Sequence, residues 1–108
     1  MANYTFTNNQ GVKYKILMKK PHYSYHADGL CDPPDYRGPK IQIAPDLTPK
    51  REMAVMIEEI MHAFFWNISE KEVRRFCGTV TRILHKEGWR QTVTTEPSKE
   101  WSGHVKKV

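Results

Sequence analysis

Met53-Ala54-Val55-Met56-Ile57-Glu58-Glu59-Ile60-Met61-His62-Ala63-Phe64-Phe65-Trp66 is apolar at every position except Glu58, Glu59 and His62. At about 100° per residue on a helix, Glu58 and His62 point nearly the same way, and Glu59 lies beside His62. A helix apolar around most of its circumference is a buried one. Burying a carboxylate costs several kcal/mol unless it is paired, protonated or bound to a cation. The reading of the whole chain therefore turns on what neutralises these residues.

Working outward, Thr48-Pro49 opens the helix, with Thr as N-cap and Pro at the first helical position, and the helix is expected to run to about Trp66. Asn67-Ile68-Ser69 is a tight connection, and Ser69 with Glu72 makes a capping box for a second helix. That helix carries Val73, Phe76, Cys77, Val80, Ile83 and Leu84 on one face and ends at Gly88, the expected C′ residue. Two helices joined by so short a turn pack as an antiparallel pair. The pairing brings Glu70, in the first turn of the second helix, within reach of His62 and Glu58 near the end of the first.

Before the helices, Tyr4 to Thr7, the turn Asn8-Asn9-Gln10-Gly11 and Val12 to Met18 read as a β-hairpin. His22 to His26 is expected to form a further strand, closed by Asp28-Gly29, and Leu30 to Pro39 a loop rich in proline and glycine. Lys40 to Ala44 reads as a short strand with prolines at both ends, which suits a sheet edge. An edge beside the helix would accept an extended peptide by strand addition, making Ile41, Gln42 and Ile43 the candidate substrate-binding residues. Gln91 to Thr95 offers a last strand, and Glu96 to Val108 reads as a tail in which Trp101 is the residue able to dock. The expected fold class is α+β: a small antiparallel sheet followed by two packed antiparallel helices, one domain over residues 1–95 and a tail over 96–108.

The 108 residues, 39% apolar and 27% charged, fit one soluble domain. No apolar run reaches the roughly 20 residues of a membrane span, and Met1 to Gln10 lacks the basic-then-apolar layout of a secretion signal. The expected location is the cytoplasm, with no membrane partner. Cys31 and Cys77 make no disulfide framework: Cys77 falls on the apolar helix face, and Cys31, in the loop, reads as a free thiol or a distant ligand. The net charge of +5 is spread along the chain, with Lys13, Lys15, Lys19 and Lys20 in or just after the first strands, which keeps nucleic-acid binding as a minor alternative.

One histidine converging with carboxylates between two helices is a metal-site constellation. Glu58-Glu59-Ile60-Met61-His62 resembles the H-E-x-x-H motif of zincin metallopeptidases, with the first histidine replaced by Glu58. Gly29-Leu30-Cys31-Asp32-Pro33, the Ile41/Ile43 strand, Ala63, Ser69-Glu70 with Val73, and Gly88-Trp89-Arg90 resemble, in the same order, small phage-encoded and bacterial metallopeptidases of the SprT-like kind. The resemblance covers about residues 12 to 90. It implies a zincin-like fold with His62 as the second histidine ligand, Glu59 as general base and Glu70 as the third ligand. Glu58 then occupies the first ligand's position. A Glu58/His62/Glu70 set carries more negative charge than a two-histidine site, so besides Zn²⁺ it favours harder ions such as Mn²⁺ or Fe²⁺.

The implied activity is peptide-bond hydrolysis by metal-activated water, with Glu59 moving the proton and a peptide or protein as substrate. His22, Tyr23, Tyr25 and His26 are candidates for an oxyanion donor or an extra ligand. Glu59-x-x-His62 also echoes the di-iron carboxylate helix motif, of which there is a single copy. A metal-free alternative pairs Glu58 and Glu59 with Arg51, Arg74, Arg75 or Arg82 and leaves His62 in the core. A fold without catalysis would then serve as a binding module with no cofactor, for instance a phage protein engaging a host protein in the bacterial cytoplasm.

Overall fold

The computed structural model describes residues 4–92. Four strands and two helices follow one another: β1 (Tyr4–Thr7), β2 (Lys13–Leu17), β3 (Gly29–Cys31), β4 (Lys40–Ile43), α1 (Pro49–Phe64) and α2 (Glu70–Lys86). The class is α+β.

Local chemistry explains most of these boundaries. Asn8 and Gly11 (φ +80°) shape the β1–β2 turn, with the Asn8 amide donating to the Val12 carbonyl at 2.9 Å. Strand alternation sends Tyr14 and Ile16 into the core and leaves Lys13 and Lys15 in solvent. Thr48 accepts from the Arg51 amide at 3.3 Å, and Ser69 accepts from the Glu72 amide at 3.1 Å while its hydroxyl lies 3.3 Å from the Glu72 carboxylate. Gly88 (φ +95°) ends α2 with paired bonds, from its own amide to His85 and from the Trp89 amide to Leu84, which is a Schellman closure.

The sheet order is β1-β2-β4-β3. The pairs β1–β2 and β3–β4 are antiparallel, but β2 and β4 run parallel, Ile16 opposite Ile41, so the sheet is mixed rather than antiparallel. β4 has both of its edges taken and is not an edge strand. Pro39 and Pro45 mark where it begins and ends; they do not place it at the border. Gly29, expected in a turn, and Leu30 and Cys31, expected in a loop, supply the border strand β3 instead. The expected strand over His22–His26 is a single 3-10 turn, Tyr23–Tyr25, capped by His22 and ended by His26 in the left-handed region (φ +49°).

α1 lies between the sheet and α2. On the sheet side Val55 and Ala63 join Tyr14, Ile16, Ile41 and Ile43 in the main core, with Met56 and Ile60 against it. On the other side Val73 and Cys77 of α2 are buried, and the Cys77 thiol lies 3.9 Å from the Met61 sulfur. Contact on two sides accounts for apolar residues around so much of α1. α2 packs on one side only, so Phe76 and Ile83, expected on its inner face, are 52% and 49% exposed. Gln91 and Thr92 form no strand, and the expectations for residues 93–95, Trp101 and the tail over 96–108 lie outside the described residues. No helix among the described residues is long and apolar enough to cross a membrane.

Candidate metal centre

The third side of α1, between the β3 border and α2, carries Glu58, Glu59 and His62. One helical turn separates Glu58 from His62, so both reach the same point, and the antiparallel return of the chain delivers Glu70 there from the first turn of α2. One ligand atom each from Glu58, His62 and Glu70 lies within 4.8 Å of the others. His62 Nε2 is 3.0 Å from Glu70 Oε1. A tetrahedral ion with bonds of about 2.1 Å holds its donors about 3.4 Å apart. The His62–Glu70 pair would have to open by about 0.4 Å and the widest pair to close by about 1.4 Å, both less than a side-chain rotation supplies. These three residues could hold a divalent cation.

Glu59 lies at the junction of two clefts. One, of about 520 Å³, is walled by His26, Asp28, Arg51, Glu58 and Arg74; the other, of about 440 Å³, by Cys31, His62, Trp66 and Ile68. Gly29, Glu59 and Glu70 line both. Gly29 is required at that junction: a Cβ there would stand 2.5 Å from Val55 Cγ1 and 2.9 Å from Glu59 Oε2. Only a glycine lets β3 pass so close to α1.

Three carboxylates share this region with few cations. Burial, followed by the charges of Glu58 and Glu70, pushes the Glu59 carboxyl from its ordinary 4.5 up to about 8. Burial and the Glu70 carboxylate raise Glu58 as well, while Arg51 and Arg74 pull it down. Arg74 Nε stands 3.4 Å from Glu70 Oε2 and 3.8 Å from Glu58 Oε2. Of the arginines expected to pair across the helices, Arg74 is the one in ion-pair range of Glu58; Arg51 instead bonds Asp28 at 3.1 Å.

The other candidates divide. His26 lines the larger cleft, whereas His22, Tyr23 and Tyr25 line neither, Tyr23 stacking on His22 at 4.4 Å. Cys31 borders the smaller cleft, but burial and Glu59 push its thiol up to about 12, so it stays protonated, with its sulfur 3.4 Å from the Asp32 carbonyl. Cys77 is buried core, as its helical position implied. Ile41 and Ile43 are fully buried, and Gln42 is flanked by β2 and β3, so β4 cannot receive a peptide by strand addition. Asp28, Trp66 and Ile68 had no signal in the sequence, since their place in the clefts follows from long-range packing. Gly29, read from the sequence as part of a turn, owes its place at the cleft to the same long-range packing.

No family model matches this chain, and no curated protein or solved structure is significantly similar to it.

Proposed function

We propose that the chain is a zincin-like, metal-dependent peptidase, with Glu58, His62 and Glu70 as ligands and Glu59 as the proton carrier. The observation that supports this most is the convergence of three ligand atoms within 4.8 Å beside a carboxyl group whose pKa stands near 8. A bound Zn²⁺, Mn²⁺ or Fe²⁺ would supply a Lewis acid for the scissile carbonyl and a more acidic water. Glu59 would take a proton from that water and return it to the leaving amine as the peptide C–N bond breaks. The ion's charge would also offset Glu58 and Glu70, drawing Glu59 down into the range where it serves as a base. The outer edge of β3, unpaired among the described strands and bordering both clefts, takes the role expected of β4 and would align an extended peptide.

Elemental analysis of gently purified protein tests the site. About one equivalent of divalent metal is expected, lost in His62→Ala and retained in Glu59→Gln, which should lose peptide hydrolysis. Protein that takes up no metal even from added Zn²⁺ or Mn²⁺ would sink the proposal.

One observation favours a second reading. Arg74 stands against Glu58 and Glu70, and so supplies for Glu58, though not for Glu59, the counter-charge that a metal-free fold calls for. The chain would then act as a binding module, and Glu59→Gln would leave its biological effect intact. Loss of that effect in a folded Glu59→Gln protein would argue against it.

A further inference from the structure

We infer that Arg74 and a divalent ion compete for the same two carboxylates, so that this one arginine sets how tightly the centre binds metal. The inference rests on the metal-site reading above and adds to it a residue that is not a ligand.

The geometry carries it. Glu70 turns one oxygen, Oε1, toward His62 and the other, Oε2, toward Arg74. Glu58 presents its own Oε2 to the same guanidinium nitrogen from the opposite helix. Arg74 is thus the cation that spans α1 and α2 at the site, four residues along α2 from Glu70. The two sides of the contact are unequally exposed. The Glu58 side chain is 15% exposed and has lost most of its hydration, whereas that of Arg74 is 73% exposed and keeps most of its own. Arg74 therefore gives up little when it swings away, while Glu58 gains much from whichever cation holds it. An ion at Glu58, His62 and Glu70 would place two positive charges a few ångströms from the guanidinium, and like charges at that range repel strongly even at near-surface dielectric. The ion and the guanidinium therefore weaken each other's hold on these carboxylates.

Arg75 supplies the control. It is the next residue on α2, is exposed, and makes no ion pair with the cluster among the described residues. Arg75→Ala changes the net charge as Arg74→Ala does without touching either glutamate.

Calorimetric titration of the metal-stripped full chain with Mn²⁺, repeated with Zn²⁺, separates the outcomes. Arg74→Ala should bind about tenfold tighter or more, and Arg75→Ala should change affinity by less than about threefold. Binding to Arg74→Ala alone, with none to the unsubstituted chain, would also support the inference. Equal affinity in all three proteins, or equal gains in both variants, would overturn it and leave the metal-site reading standing. No binding in any of them would overturn both. A second readout uses no metal: at pH 8, Arg74→Ala should lower the melting temperature of the stripped protein, and Glu58→Gln added to that variant should restore it. An unchanged melting temperature in Arg74→Ala would count against Arg74 as the counter-ion.

Discussion

Two polar clusters touch α1 at nearly the same height, and they are built in opposite ways. On the sheet side Asn8 is buried, and each of its polar atoms is satisfied. Its Nδ2 donates to the Ala63 carbonyl at 2.9 Å, and its Oδ1 accepts from the Gln10 and Val12 amides at 2.9 Å each. On the other side, next along the helix from Ala63, His62 belongs to a cluster of three carboxylates with a single arginine in contact among the described residues, where the Glu59 carboxyl is pushed up to about 8. A buried polar group with all its partners fixes structure. A group of charges short of partners holds free energy that a ligand can release. The contrast separates what stabilises this fold from what the fold is positioned to bind.

The largest test of the contrast is a pH series on metal-free protein. The native state holds a proton on Glu59 up to about pH 8, while the unfolded chain releases it near 4.5. The native state therefore binds more protons across that window, and stability must fall as pH rises through it. At 1.36 kcal/mol per pKa unit the loss is on the order of 3 to 5 kcal/mol between pH 5 and pH 8, measured by urea unfolding. Glu59→Gln should remove most of it, and a bound divalent cation should flatten the slope. A pH-independent midpoint would show that the carboxylate cluster is not strained.

Asn8 should behave oppositely. Asn8→Ala leaves two amides and a carbonyl without their partner and is expected to cost about 2 to 4 kcal/mol at every pH, with the metal stoichiometry unaltered in the folded fraction. A variant that lost metal while staying folded would mean that the two clusters are coupled through α1. Gly29→Ala comes next, at about 1 to 3 kcal/mol, because its new methyl meets the buried Val55 and the Glu59 carboxylate. Since it also pushes on Glu59, it should shift the pH midpoint as well as the stability, which Asn8→Ala should not. The smallest effect is expected from Ser69→Ala, about 1 kcal/mol from loss of the N-cap, with Glu70 loosened at the frayed end of α2 and metal affinity lowered in step.

What could be read from the sequence was what short-range rules decide. Thr48-Pro49, Ser69 with Glu72, and Gly88 fix helix ends through hydrogen bonds within a few residues. Glu58, His62 and Glu70 then converge because a short connection leaves the helices no other arrangement. The rest depended on partners far along the chain. Nothing near Lys40–Ile43 says that β2 will pair with it in parallel, so its proline borders suggested the wrong place in the sheet. β3 has three residues, too few to show alternation. In the Tyr23–Tyr25 segment alternating aromatic and polar residues resembled a strand, yet His26 in the left-handed region turns the chain at once. Phe76 and Ile83 fitted an apolar helix face, but α2 has α1 on one side only.

β3 joins the sheet through a single neighbour, with three residue pairs to β4. Besides the Gly29 approach to α1, it is held at its two ends: the Asp28 carbonyl accepts from the Ala44 amide at 2.8 Å and its carboxylate from Arg51 at 3.1 Å, while the Asp32 carbonyl accepts from the Tyr14 hydroxyl at 2.9 Å. So small a strand can detach while the β1-β2-β4 ladder and both helices keep their bonds, and amide hydrogen exchange at Leu30 should outpace exchange at Ile16 or Ile41. Access to the acidic clefts would then be regulated by the breathing of three residues rather than by movement of a whole domain.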